Sequence, residues 1–336
     1  MTGGTSVFST LAVCYLFLGG ASGGAAVVLG SCGFAVPRGA LASIPRLTSH
    51  FAYTGACGAS SFSLRDMEAY RRLLAPLSFS ALALLSVGMV CLLVDLGSPA
   101  RAVLLFAGPR ASFVAVGAWV LACTAVALVV QCAFWGGWLR LPVPVARAVQ
   151  LVCAALGVAT ALYTGLMLSD LRAVPLWATP LTPALFVVSS LSCGLALAVV
   201  SAYLSGAARS FPSLVRAFER FDAAAIAVEG ALVAAFVVRA LSPAGQTATD
   251  QVREAAGSLL AFGPDAWAFW ALFVGAGLIV PLVFDLVCSF GPYRPRATSP
   301  LPALFAMACV LAGGFVMRYC IVSVGMQPYA VLAGTF

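Results

Sequence analysis

Residues 112–135 read SFVAVGAWVLACTAVALVVQCAFW, an apolar run without a single charged side chain. A helix needs about 20 mostly apolar residues to cross the hydrocarbon core of a bilayer. Eight stretches of this kind occur, at residues 9–31, 73–94, 112–135, 145–168, 181–205, 222–241, 266–289 and 301–323. The sequence therefore predicts an all-α, polytopic integral membrane protein with about eight transmembrane helices.

The overall composition points to the same class. Of the 336 residues, 62% are hydrophobic and only 9% are charged, and the mean hydropathy is +1.05. A soluble globular protein has roughly 25% charged residues. Because the polar residues needed to cover a water-soluble core are missing, we expect the surrounding solvent to be lipid.

The basic residues predict an orientation in the membrane. The formal net charge is +7, and all 18 cationic side chains are arginines. They are scattered between the apolar runs, without the clustered basic stripe typical of nucleic-acid binding. Twelve lie in the odd-numbered connections and six elsewhere. The positive-inside rule then makes the odd connections cytoplasmic and places both termini outside.

Cysteine and histidine usage argues against a resident metal centre. No CxxC pair occurs among the 11 cysteines, whereas zinc sites and iron–sulfur clusters need closely spaced thiolates. Haem iron in membrane cytochromes is usually held by histidines, and the single histidine, His50, lies in a loop. We therefore expect no metal, no haem and no iron–sulfur cluster in this protein.

The organisation along the sequence is that of one integral membrane domain. The first apolar run lacks a positive n-region and a clear cleavage site, so we interpret it as a retained span. We divide the protein into a first half, residues 1–208 with spans one to five, and a second half, residues 209–336 with spans six to eight. We expect the helices to form two packed four-helix bundles.

Ionisable residues within spans are candidates for a proton pathway. A charge near mid-bilayer is costly and is usually kept for a partner or a pathway. Glu229 lies seven residues after Asp222, which places both on one helix face about 10 Å apart. One interpretation is a proton-conducting file from the cytoplasmic side. The other is a buried pair neutralised by arginine or by protonation. Asp285 and Arg318 lie towards the ends of the last two spans.

Four further residues converge on the predicted outer face. They are Tyr15 at the start of span one, Asp95 and Arg101 in the second connection, and Tyr163 near the end of span four. Tyrosine is a common anchoring residue at membrane interfaces, so each tyrosine could have that role alone. Asp95 and Arg101 could instead form a salt bridge at the end of a helix. None of the four would identify a site by itself.

Taken together, these positions resemble the NrfD/polysulfide-reductase membrane-subunit family. The similar motifs are YLFLGG at 15–20, DLGSPAR at 95–101, GAW at 117–119, YTGLMLS at 163–169, the run 175–192, the segment 221–229 and GGFVMRY at 313–319. They extend over nearly the whole sequence and stand in the family's order. The joint order is more specific than any single motif.

The resemblance implies a quinol- or quinone-interacting anchor subunit of a membrane-bound oxidoreductase, in the cytoplasmic membrane of a prokaryote and in anaerobic respiration. Such a subunit has no haem or cluster of its own. It docks a ferredoxin-like 4Fe-4S subunit, which relays electrons to a catalytic subunit, either a molybdopterin enzyme or a multihaem cytochrome. The family's quinone, menaquinone or ubiquinone, lies near the outer face between the first helices.

The resemblance also suggests roles for the outer residues. Tyr15 and Tyr163 are candidates to contact the quinone oxygens, Asp95 to accept a proton, and Arg101 to hold Asp95 ionised or to brace the partner. Two alternatives stay open: a secondary transporter, and a purely structural anchor that does not bind quinone. The terminal substrate is not encoded in this protein, which is not expected to be catalytic on its own.

Overall fold

The structure, a computed structural model, describes residues 10–39, 41, 60–95, 97, 113–171, 174–243, 247–264, 266–290 and 301–333. All the long elements in these ranges are helical. They are α1 (Thr10–Ala35), α2 (Ser60–Asp95), α3 (Phe113–Gly136), α4 (Val143–Ser169), α5 (Leu181–Leu204), α6 (Pro212–Leu241), α7 (Ala248–Phe262), a π-helix (Ala268–Ile279) that continues into α8 (Val280–Phe290), and α9 (Leu301–Ala333).

Within the described residues, eight helices are long and apolar enough to cross a membrane, which confirms the predicted fold class and the number of spans. The protein is thus a multi-pass integral membrane protein. The spans are Thr10–Ala35, Met67–Asp95, Ala115–Gly136, Val143–Ser169, Leu181–Leu204, Pro212–Leu241, Ala268–Val287 and Leu301–Met326. Most of their ends lie within a few residues of the predicted ones.

The sixth span begins well before its predicted start. The apolar run begins at residue 222, but α6 begins at Pro212. Proline is favoured in the first turn of a helix, where its missing N–H costs nothing. The added turns carry the charged residues Arg216, Glu219 and Arg220. Because these residues interrupt the apolar run, hydropathy alone does not assign the turns to the span.

Helix α7 (Ala248–Phe262) was absent from the sequence prediction. Its first turn is capped by Thr247, whose Oγ1 accepts a hydrogen bond from the Asp250 backbone N–H at 3.3 Å. The helix is amphipathic and, at 15 residues, too short to cross a bilayer. It connects the sixth and seventh spans, and Trp270 at the start of the seventh span donates to the Ala261 carbonyl of α7.

The spanning helices pack in two groups around α1 and α5. Helix α1 packs against α2 and α4, with α3 between those two, whereas α5 packs against α6 and α9, with α8 between those two. The two groups meet where α1 lies against α5. A β-carbon on Gly24 of α1 or on Gly194 of α5 would overlap the backbone of the other helix, so glycine permits this close contact. The division of the protein at residue 208 stays a prediction.

The alternating direction of the spans gives the bundle two faces. The Tyr15 face is the end where Thr10, Asp95 and Ser169 lie, and the Arg140 face is the end where Ala35 and Gly136 lie. Helices α1 and α4 accordingly run antiparallel, since Gly19 contacts Thr164 and Gly30 contacts Ala154. Which of the two faces is cytoplasmic stays a prediction.

Candidate functional site

The structure brings Tyr15 of α1 and Tyr163 of α4 together near the Tyr15 face. Both side chains are buried, with 1% and 7% of their surfaces exposed, and the two phenols interact directly with each other. The Tyr163 hydroxyl donates to Sδ of Met167 at 3.6 Å. The Tyr15 hydroxyl has no hydrogen-bond partner of acceptable geometry among the described residues. An unsatisfied buried hydroxyl is costly, which makes this pair a candidate ligand site.

The ring of Tyr163 packs against helix α3. The ring lies against the backbone of Gly117, where any side chain would overlap it. Gly117 begins the GAW motif that follows the DLGSPAR segment. The sequence does not show that Gly117 packs against an aromatic ring of another helix. That contact depends on the rotation of α3 and α4 about their own axes.

The other two predicted outer residues are only partly described. Asp95 is the last residue of α2, and its side chain is exposed at the Tyr15 face. Arg101 lies outside the described residues, as does His50. The proposed Asp95–Arg101 pair therefore stays a prediction, although Asp95 stands at the same face as the two tyrosines.

A second polar site lies deeper, in the group formed by α5, α6, α8 and α9. Asp222 of α6 is fully buried, and its Oδ1 accepts a hydrogen bond of 2.6 Å from the Ser192 hydroxyl of α5. Its Oδ2 has no partner among the described residues. Asp285 of α8 is also fully buried and interacts electrostatically with Asp222. Two carboxyl groups from different spans thus face each other inside the membrane.

Glu229 and Arg318 meet through a serine hydroxyl. Ser189 of α5 hydrogen-bonds Glu229 and accepts a bond of 3.2 Å from Nη1 of Arg318. Nη1 also donates to the Gly314 carbonyl at 2.8 Å, and Nη2 donates to the Ser190 hydroxyl at 2.9 Å. Glu229 and Asp222 also interact electrostatically. Glu229 of the sequence-predicted pair on α6 therefore has an arginine nearby, and both interpretations of that pair stay predictions.

Aromatic rings complete the surroundings of Arg318. The guanidinium carbon lies 5.1 Å from the ring centroid of Phe186 and 5.8 Å from that of Phe17. A cation over an aromatic face gains electrostatic energy, and the gain is larger where water is excluded. The side chain is fully buried, so these rings and the serine hydroxyls replace its hydration shell.

Helix α1 lies between the two sites. A β-carbon on Gly20 would lie 2.8 Å from Nη2 of Arg318 and 2.7 Å from the Ser190 hydroxyl. The preceding residue, Gly19, packs instead beside Thr164 and the ring of Tyr15. Adjacent glycines of the YLFLGG motif therefore face the two sites, and Gly20 lies only about 7 Å along the helix axis from Tyr15.

The sequence interpretation missed the serines of α5. Ser189, Ser190 and Ser192 are all buried, and each hydrogen-bonds a charged side chain from another span. The available signal was a cluster of hydroxyls, SSLS, inside an otherwise apolar run. Serine is also common as a packing residue in membrane helices, so the cluster alone did not identify a site.

The described spans therefore define an eight-helix membrane protein that buries a tyrosine pair, several carboxyl groups and an arginine. A family model described as "Polysulphide reductase, NrfD" matches residues 2–330. The protein belongs to the NrfD family, and the resemblance seen in the sequence is confirmed.

Two curated proteins are similar to parts of this sequence. "Protein NrfD" of Escherichia coli strain K12 is 29% identical over 193 residues, which are 57% of this protein and 57% of that one. The C subunit of the polysulfide reductase of Wolinella succinogenes is 29% identical over 174 residues, 52% of this protein and 53% of that subunit. The protein thus aligns with only about half the length of these relatives.

Proposed function

We propose that this protein is the quinone-interacting membrane anchor of a multi-subunit oxidoreductase. In this role it passes electrons between the quinone pool and a docked iron–sulfur subunit. Membership of the NrfD family and similarity to a protein named as a subunit of polysulfide reductase support an association with other redox subunits. Menaquinone or ubiquinone is the proposed bound substrate, and the terminal substrate is left to the catalytic subunit.

The observation that carries the proposal is the direct contact between the buried phenols of Tyr15 and Tyr163. A quinone oxygen accepts, and a quinol hydroxyl donates, hydrogen bonds of about 2.5–3.0 Å to a phenol. Two buried phenols side by side near one membrane face offer such contacts to a lipid-soluble molecule entering from the bilayer. Asp95 at the same face is the proposed proton acceptor, and Arg101, six residues later in the sequence, is its proposed partner.

Proton movement coupled to quinone chemistry is the second part of the proposal. Quinol oxidation releases two protons together with two electrons. Asp222 and Glu229, which interact electrostatically and are bonded to Ser192 and Ser189 respectively, are the proposed proton-carrying groups between the Arg140 face and the region of the tyrosines. Buried carboxyl groups in membrane spans commonly serve such relays.

The partners in this proposal are a ferredoxin-like 4Fe-4S subunit and a catalytic subunit, either a molybdopterin enzyme or a multihaem cytochrome. The proposed docking side is the Tyr15 face, since electrons must leave near the tyrosine pair. We place this face outside the cytoplasm, in agreement with the arginine distribution.

The test is quinol turnover by the reconstituted complex carrying Tyr163→Phe. We expect lower turnover with intact assembly, because the variant loses one hydroxyl and keeps the ring. Tyr203→Phe, which removes a hydroxyl near the Arg140 face, is the control and should turn over normally. Normal turnover in Tyr163→Phe would contradict the assigned role of this residue.

Binding of a quinone analogue to the purified protein separates this function from the alternatives. A purely structural anchor would retain the iron–sulfur subunit without binding the analogue. A secondary transporter would take up substrate into vesicles without any partner subunit. The proposal requires analogue binding that weakens when Tyr15 or Tyr163 is changed to phenylalanine.

A further inference from the structure

A third polar cluster lies far from both sites, where α3 and α4 approach the Arg140 face. Gln131 of α3 donates from Nε2 to Oε1 of Gln150 of α4 at 2.8 Å, and both side chains are fully buried. The remaining atoms of the two amides, Oε1 of Gln131 and Nε2 of Gln150, have no partner among the described residues. This arrangement leaves one acceptor and one donor unsatisfied.

Two more unsatisfied donors lie one helical turn closer to the Arg140 face. Nε1 of Trp135, four residues after Gln131, is buried and has no partner in the described part of the protein. The same holds for Nε of Arg147, three residues before Gln150. Residues three or four apart on a helix are neighbours on its surface, about 5–6 Å apart. By this spacing the four residues lie in one neighbourhood of α3 and α4.

This concentration of unsatisfied groups calls for a ligand. A buried donor or acceptor without a partner costs about 1–3 kcal/mol, and ordered water is one of the partners that satisfy such groups in native proteins. The set contains three N–H donors and one carbonyl acceptor. An anion would satisfy the donors but would be repelled by the Gln131 oxygen, whereas water both donates and accepts.

The conclusion does not depend on how the two amides are oriented. Nitrogen and oxygen of a glutamine side chain are assigned from the hydrogen-bond network. If both amides are turned over, Gln150 donates to Gln131, and one donor and one acceptor are again left unsatisfied. The need for a ligand that both donates and accepts therefore stays.

The glutamine pair lies on α3 and α4, at the opposite end of these two helices from Gly117 and Tyr163. Gly117, Thr124 and Gln131 follow one another at seven-residue intervals on α3. They lie opposite Tyr163, Thr160 and Gln150 of α4, respectively, and the two threonine hydroxyls hydrogen-bond each other at 2.8 Å. Gln150 lies about 20 Å along α4 from Tyr163, so the glutamine cluster is separate from the tyrosine pair.

We propose that Gln131, Gln150, Trp135 and Arg147 form an internal hydration site that holds ordered water near the Arg140 face. The site does not depend on the proposed quinone function, because no residue of the tyrosine pair or of the Arg318 cluster belongs to it. Buried waters typically make about three hydrogen bonds, and the four atoms supply that number.

The protein offers a matched pair of probes for this water. Trp135 and Trp177 are both completely buried, but Nε1 of Trp177 donates to the Ile321 carbonyl at 2.9 Å. Brief X-ray radiolysis forms hydroxyl radicals from water, so a buried side chain is oxidised efficiently only beside bound water. The full-length protein in lipid nanodiscs is irradiated, and oxidation of each tryptophan is followed by mass spectrometry.

We expect Trp135 to be oxidised several-fold faster than Trp177. Equal and slow oxidation of the two tryptophans would overturn the proposal. In the double variant Gln131→Leu with Gln150→Leu, the rate at Trp135 should fall to that at Trp177, since both amides are lost.

The double variant Thr124→Val with Thr160→Val removes a polar pair further along the same helices and is the control. It should leave the oxidation of Trp135 unchanged. A wild-type rate at Trp135 in the glutamine double variant would also overturn the proposal. Because the wild-type protein alone provides the first comparison, poor folding of a variant does not remove the test.

Discussion

Gly117 on α3 lies so close to the phenol of Tyr163 on α4 that a methyl group at position 117 would overlap two ring carbons, Cζ and Cε2, and the hydroxyl oxygen. The position of the Tyr163 hydroxyl therefore depends on the absence of a side chain on a neighbouring helix. This relationship ties the GAW motif to the tyrosine pair and makes the pair sensitive to a change outside it.

Gly117→Ala is the first prediction. The added methyl group should displace the Tyr163 ring and lower quinol turnover, at a cost of about 1–3 kcal/mol in stability for overpacking. Turnover and the midpoint of thermal unfolding are measured on the same preparation. Gly230→Ala in α6 is the control, since a β-carbon there meets nothing within 4 Å. Equal turnover in both variants would show that the ring position is not critical.

Glu229→Gln is expected to change the proton-to-electron ratio of the reconstituted complex. The amide keeps the shape of the carboxyl group but cannot carry a proton in the same way. Proton release in proteoliposomes is compared with quinol consumed. Glu68→Gln on the exposed Glu68–Arg72 pair serves as the control. An unchanged ratio would leave Glu229 with a structural role only.

Arg318→Met should destabilise the protein strongly. Removing one partner of a buried charged group typically costs about 3–5 kcal/mol, and here Ser189, Ser190 and Gly314 also lose a donor. The unfolding midpoint in detergent and the yield of folded protein are measured. Arg216→Met, at an exposed arginine that bonds only within its own helix, is the control.

Adding Glu229→Gln to Arg318→Met tests whether the two residues act as a unit. If Arg318 compensates the charge of Glu229, the double variant should be more stable than Arg318→Met alone. Strictly additive losses of stability would indicate that the two side chains do not compensate each other.

Ser192→Ala is expected to destabilise the protein by about 1.5–3 kcal/mol, the range for a hydrogen bond to a charged group. The lost bond is the 2.6 Å contact with Oδ1 of Asp222. Ser205→Ala at the end of the same helix, where the hydroxyl bonds to nearby backbone groups of Ser201, Ala202 and Ala207, should have a smaller effect. Similar unfolding midpoints for the two variants would contradict the importance of the Asp222 contact.

The predicted orientation can be checked with reporter fusions. Alkaline phosphatase, which is active only outside the cytoplasm, should be active when fused after Leu241 and inactive when fused after Arg140. A green fluorescent protein at the same points should give the opposite pattern. The reverse result would place the tyrosine pair at the cytoplasmic side.

Several parts of the candidate sites could be predicted from the sequence because they depend on chemistry within one segment. Glu229 and Asp222 stand out as carboxyl groups within an apolar run, and their seven-residue spacing places them on one face of α6. The serines of α5 did not stand out in this way. Their partners, Asp222, Glu229 and Arg318, come from other helices, and no local pattern relates them.

The sequence by itself determined the helical class, the eight spans and their order, because the free energy of burying about 20 apolar residues in lipid is a property of each segment alone. Only the tertiary structure decided that Tyr15 meets Tyr163, that Ser189 lies between Glu229 and Arg318, and that Gln131 pairs with Gln150. These meetings depend on the rotation and depth of each helix against its neighbours. Close contacts at small residues, such as Gly24 against Gly194, set those quantities.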